Sequence, residues 1–251
     1  MDSIGGNRYD LHKGLPAMLP IKDYLHSKSF PFVNTVFIAL NAVVFVHQVR
    51  LPLSEAQAFV MQYAFIAQRF FSAPVEHWST PFSSMFLHGG FVHFIGNMLF
   101  LFVFGDNVED AFGHIRYLLF YLLAGFAAAF AQTAFMPDPS IPLIGASGAI
   151  SAVLGAYIIL YPMARVLTII PIGFFLMSAK LPAYLFVGVW ALLQLFSGML
   201  TIAGGLGSNI GYFAHLGGFA FGFVFAAAGR RRYLQKFHRH RRVFYNDGYY
   251  W

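Results

Sequence analysis

Serine, histidine and asparagine occur in this sequence at places otherwise filled by hydrocarbon side chains. GASGAIS, Gly145 to Ser151, sets Ser147 among small residues at the head of the apolar run VLGAYIILY. AHLGGFAFG carries His215, and HGGFVHFIGN carries His88, His93 and Asn97. A serine hydroxyl beside a neutral imidazole suits acyl transfer: the imidazole takes the serine proton during attack and later gives it to the leaving amine. His93 and Asn97 are four residues apart and so share one helix face. An imidazole N–H and a side-chain amide there, with the backbone N–H of Ser147, would stabilise the oxyanion of a tetrahedral intermediate.

Each of these residues also has a plainer reading. Ser147, Ser151 and Gly155 are spaced by four and form a small-residue ridge of the kind that packs membrane helices, as do Gly218 and Gly222. Packing and catalysis are compatible, because a serine can attack only where the backbone around it leaves space. Histidine inside a span is harder to explain by packing, since ionisable groups in hydrocarbon are costly and mark functional or water-filled sites. His88, His93 and His215 could bind zinc, but His88 and His93 are five apart and no carboxylate joins them. The expectation is therefore no metal and no organic cofactor. Lys180 lies at the far end of a later span, so it offers Ser147 no lysine base. The last three spans hold no acid, which leaves a serine–histidine dyad rather than a triad. Asp138, in the short loop before Ser147, is the one acid placed to orient the histidine from a distance. His47 and His77 read as interfacial.

The elements that must position these groups are membrane helices. The chain is 58% hydrophobic and 10% charged, against roughly 45–50% and about 25% in soluble domains. It has no cysteine, which excludes disulfides, thiolate metal sites and a cysteine nucleophile. Six stretches approach the ~20 apolar residues a span requires: 32–49, 82–104, 115–135, 141–161, 181–203 and 209–228. A further run, 166–177, is broken by Pro171 and Gly173 and reads as an interfacial or partly buried connection.

The net charge of +6 follows this topology. Lysine and arginine collect at the N-terminus (Arg8, Lys13, Lys22, Lys28), in the second and fourth connections (Arg116, Arg165, Lys180) and in the tail from Arg230, whereas Arg50 and Arg69 alone fall on the other side. That asymmetry puts both ends in the cytosol. The basic residues are read as topological, with no nucleic-acid partner, and the tail as an anchor at an anionic leaflet. Residues 1–30 read as a cytosolic lead, 31–229 as the six-helix domain and 230–251 as a basic cytosolic tail.

With these spans in place, the sequence resembles the rhomboid intramembrane serine proteases. SMFLHGGFVHFIGNMLFLFVFGDNVED, GASGAISAVLGAY and AHLGGFAFG follow that family's order on the second, fourth and sixth spans. The resemblance implies an all-α integral membrane protein with a six-transmembrane-helix rhomboid-like bundle. It implies that Ser147 is the nucleophile of a GxSG motif framed by Gly145 and Gly148, and that His215 is its base. His93 and Asn97 line the oxyanion hole with Ser147, His88 is structural, and Gly218 and Gly222 seat the sixth helix on the fourth. The implied substrates are single-span transmembrane proteins cut near the outer end of their helix, within the lipid bilayer, with entry expected beside the fifth span. A six-span core suggests a bacterial cytoplasmic membrane by analogy. Two departures stand out: Ser79 follows Glu76, His77 and Trp78 where the best-known members carry Trp-Arg, and Ser151 replaces an aromatic that stacks on the histidine. Tyr157 or Tyr212 is expected to hold His215 instead. A noncatalytic relative that binds membrane clients is the alternative function.

Overall fold

The computed structural model describes residues 18–135, 138–172, 175–203 and 210–244. Arg8, Lys13 and the start expected at Asn209 for the last span lie outside the described residues. The elements run β1 (Leu19–Asp23), α1 (Phe32–Arg50), α2 (Leu53–Tyr63), α3 (Ala67–Ser72), α4 (Pro74–His77), α5 (Thr80–Ser83), α6 (Phe91–Phe112) and α7 (His114–Phe135). They continue with α8 (Ser147–Leu160), β2 (Arg165–Ile172), β3 (Phe175–Pro182), α9 (Ala183–Ala203) and α10 (Tyr212–Phe244). Among the described residues, five helices are long and apolar enough to cross a membrane: α1, α6, α7, α9 and the Tyr212–Arg230 part of α10. The protein is a multi-pass, mostly helical membrane bundle.

α8 differs from the other five. It has 14 residues, about 21 Å at 1.5 Å per residue, short of a hydrocarbon core ~30 Å thick. Ala149, Ile150, Ala152, Val153, Leu154, Ala156 and Tyr157 are all at most 3% exposed, and the helix packs on α6, α7, α9 and α10. An apolar helix without a polar face belongs in the interior of a bundle.

Its N-terminal end corrects the expected fourth span. Residues 141–146 are not helical, and Ser147 is the first residue of α8. Pro142 biases the residue before it away from helix, and Gly145 has φ +115°, a conformation that side chains rarely adopt. The expected second span shifts in the same way: Thr80–Ser83 and Ser84–Phe86 form short turns, His88 precedes α6, and α6 runs on through Asp106, Glu109 and Asp110 to Phe112.

Residues 166–172 and 175–177 of the expected connection belong to paired β-strands. β2 pairs antiparallel with β3 from Arg165–Pro182 to Ile172–Phe175, and β1 adds to the other edge of β2. Part of the expected N-terminal lead is thus built into the fold. Asp23, at the end of β1, is 7% exposed and accepts hydrogen bonds from Asn107 Nδ2 (2.8 Å) and the Tyr157 hydroxyl (2.6 Å).

α1 has no side chain of its own capping its N-terminus. Glu109 of α6, fully buried, accepts from the Val33 and Asn34 N–H groups at 2.9 and 2.7 Å and lies 2.5 Å from His114 Nδ1. A carboxylate at a helix N-terminus satisfies otherwise unpaired N–H groups and meets the positive end of the helix dipole. One turn earlier on α6, Gly105 leaves the room that Asn34 occupies. There Asn34 donates to the Leu101 carbonyl (3.1 Å) and accepts from Tyr117 (2.8 Å).

Candidate active site

The first turns of α6, α8 and α10 meet at one end of the bundle. Ser147 Oγ lies 2.8 Å from His215 Nε2, although 68 residues separate them in sequence. The approach is set by backbone. Gly218 faces the Gly148 carbonyl, Gly222 faces the Ala152 carbonyl, and Gly155 faces the Phe219 carbonyl, each so closely that a Cβ would collide with main chain. Small residues at this spacing let two helices touch backbone to backbone. Ser151 takes part as a packing residue: its hydroxyl donates to the Ser147 carbonyl at 2.6 Å. The small-residue ridge and the serine–histidine pair are therefore parts of one interface.

The segment leading to Ser147 is held from two sides. Phe65 and Leu143 exchange backbone hydrogen bonds (3.2 and 2.8 Å), and the Gly145 N–H donates to the Ser84 carbonyl at 2.9 Å. The chain between α1 and α6 is thereby pinned to the turn that presents the serine. Trp78 and Val75 in that chain are exposed, at 66% and 87%, and form an outward apolar edge.

Gly145 also makes room for the second span's polar residues. A Cβ there would strike the imidazole of His93 and sit 3.7 Å from Asn97 Nδ2, so both side chains reach the turn before Ser147. His93 Nδ1 accepts from the Gly89 N–H at 3.4 Å, which leaves the proton on Nε2, the atom directed at Gly145. Asn97 donates one amide hydrogen to His88 Nε2 at 3.0 Å and has a second to give. His88 is buried, at 3% exposed, and stacks edge-on against His93 and Phe45. Its backbone N–H and carbonyl are both held by Gln48 of α1 (3.0 and 3.2 Å).

The group beside His215 differs from every expected one. Its Nδ1 lies 2.7 Å from Gln194 Oε1 on α9. Trp190, one turn earlier on the same helix, places its ring 6.1 Å from the imidazole at 36°. Tyr157 points away to Asp23. Asp138 accepts from the N–H and hydroxyl of Ser140 (2.9 and 2.6 Å), and these bonds hold its carboxyl below its ordinary pKa. Gln194 is missed by the sequence reading, which weighs Asp138, Tyr157 and Tyr212 as partners for His215 and no neutral amide. The available signal was an amide among the bulky residues ALLQLFSGML, four after a tryptophan. Gln132 of α7 was likewise unremarked; its Oε1 accepts the Ala214 N–H at 2.9 Å and helps cap α10.

Comparison with known proteins gives a consistent result. A family model described as Rhomboid domain matches residues 75–232, more than half of the chain. Among curated relatives, "RHOMBOID-like protein 6, mitochondrial" of Arabidopsis thaliana is 33% identical over 148 residues, covering 59% of this chain and 42% of that protein. "RHOMBOID-like protein 4" of the same plant is 34% identical over 142 residues, 57% of this chain and 32% of its own length. "Rhomboid protease GluP" of Bacillus subtilis is 42% identical over 79 residues, 32% of this chain and 15% of its own. The matched stretch spans less than half the length of each of these relatives. The relatives are mostly plant proteins, one of them mitochondrial by name, and give no support to a bacterial cytoplasmic membrane. With a matching domain over most of its helices and its motifs gathered at one end of them, the chain belongs to the rhomboid family of membrane proteins.

Proposed function

We propose that this protein is an intramembrane serine endopeptidase that hydrolyses a peptide bond near the outer end of a substrate's transmembrane helix. The observation that carries this reading is the 2.8 Å contact between Ser147 Oγ and His215 Nε2 at the turn that His93 and Asn97 face. His215 Nε2 accepts the serine proton as Oγ attacks the substrate carbonyl carbon. The oxygen that becomes negative is met by His93 Nε2–H, the free amide hydrogen of Asn97 and the Ser147 N–H at the start of α8, where the helix dipole also favours negative charge. The imidazolium then protonates the departing amine, and the C–N bond breaks to leave an acyl-serine. Water, deprotonated by the same nitrogen, hydrolyses that ester and restores the serine. Ser147 opens α8, and the water for this step reaches it from the outer side of the membrane. Both termini are cytosolic by the lysine and arginine distribution, and substrate enters beside α9, whose Leu192, Phe196 and Met199 are 58–66% exposed.

The test is cleavage of a panel of single-span membrane proteins in liposomes by the wild type, Ser147→Ala and His215→Ala, with thermal unfolding as the control for folding. The expected result is cleavage by the wild type and a loss of at least a thousandfold in both variants. Retained binding of those helices with no cleavage by the wild type would replace the protease with a noncatalytic client-binding relative.

A further inference from the structure

We propose that Gln194 is the positioning residue of this site, holding His215 in the tautomer that can accept the serine proton and doing so only while α9 is docked. The inference rests on the protease reading and extends it to how the base is oriented.

For Nε2 to accept from Ser147, the imidazole proton must sit on Nδ1. A neutral histidine chooses between its two nitrogens according to the partner that the other nitrogen finds. Here that partner is Gln194 Oε1 at 2.7 Å, an acceptor, which selects Nδ1–H. The geometry therefore performs the orienting task of a triad's carboxylate without placing a charge in the bilayer. Trp190 lies on the same face of α9 and bounds the imidazole from the side, so one turn of one helix supplies both the acceptor and the ring wall. The other titratable side chains at the site are His93, from α6, and His88 behind it.

The location of Gln194 matters as much as its chemistry. α8 and α10 meet through main-chain contacts at three glycines, whereas α9 is held chiefly at its start, where Ala183, Phe186 and Val187 are buried, and at Gly198 against Tyr212 and Phe213. Between and beyond these points it presents Leu192, Leu195, Phe196, Met199 and Leu200 outward, each more than 40% exposed. The serine–histidine distance is thus fixed by one pair of helices, and the histidine's orientation by a third that is less firmly held.

The experiment uses full-length protein in liposomes with ¹⁵N-labelled histidine. Nitrogen NMR reads the His215 tautomer in the wild type, Gln194→Leu and Gln194→Glu, and cleavage kinetics give kcat and KM for each; thermal unfolding checks the fold. Gln194→Leu is expected to convert His215 from the Nδ1–H form to a mixture, to lower kcat about ten- to a hundredfold and to leave KM within twofold. Gln194→Glu retains an acceptor and is expected to recover both the tautomer and most of kcat. An unchanged tautomer and an unchanged kcat in a folded Gln194→Leu would overturn the proposal. So would a loss of activity that Gln194→Glu does not restore. The tautomer is read without any cleavage, so a wild type that cuts nothing overturns the protease reading while leaving the orienting role to be decided by the spectra.

Discussion

A single side chain at the far end of the bundle from the serine shows how burial, as the largest of several influences, sets a pH response. Burial raises the Asp23 pKa from its ordinary 3.8 to about 7, the Asp106 charge adds to the rise, and the Tyr157 hydrogen bond opposes it. The folded protein therefore holds this proton over a window in which the unfolded chain has lost it. Stability falls as pH rises from about 4 to about 7, and the loss is complete above that. Asp23→Asn keeps an oxygen for Tyr157 and Asn107 but cannot ionise. Its melting temperature relative to the wild type is expected to climb between pH 4 and pH 7 and level off beyond. A constant difference across that range would refute the assignment. The same residue marks a limit of sequence reading: Asp23 looks like one more charge in a polar lead, and only the pairing of β1 with β2 buries it.

At the scale of elements, what was legible depended on whether the signal was local. The spans read well because each is a run of apolar residues of the required length, whatever it packs against. Their ends read poorly where a turn interrupts the run without changing its hydropathy, as at Pro142 and Gly145 before α8 and at Gly89 and Gly90 before α6. The strands Arg165–Ile172 and Phe175–Pro182 read in the sequence only as a broken apolar run, and the third strand of their sheet, Leu19–Asp23, lies more than 140 positions earlier. Glu109 gave no sign of its role, because the N–H groups it satisfies belong to α1. The glycine contacts between α8 and α10 were legible, and they give a sharp expectation. A methyl group at Gly222 would meet the Ala152 main chain, whereas one at Gly188 of α9 would meet nothing within 4 Å. Gly222→Ala is expected to destabilise the fold by about 1–3 kcal/mol and to cut cleavage more than tenfold by lengthening the Ser147–His215 contact. Gly188→Ala is the control and is expected to leave both unchanged. Equal effects from the two substitutions would show that backbone contact does not set the site.

For the whole molecule, the site was legible in its types and incomplete in its assembly. Ser147, His215, His93 and Asn97 stand out because polar groups in hydrocarbon are conspicuous against their neighbours. Gln194 carries no charge, sits in a span without a motif, and acquires its meaning only from the histidine 21 positions later. The inner helices α8 and α10 hold the serine–histidine contact, and α9, exposed along Leu192, Phe196 and Met199, carries the side chain proposed to orient the histidine. Lipid contact makes the bilayer itself a ligand of α9. Mismatch between a helix and the local hydrocarbon thickness shifts tilt at a cost of fractions of a kcal/mol per Å, small beside the stability of the packed inner helices. It is comparable to one neutral hydrogen bond, which contributes about 1 kcal/mol. Turnover measured in liposomes of increasing acyl-chain length should therefore pass through an optimum while the melting temperature changes little, and Gln194→Leu should flatten that optimum. A protein built this way would take its cue from membrane thickness as well as from the helices it binds.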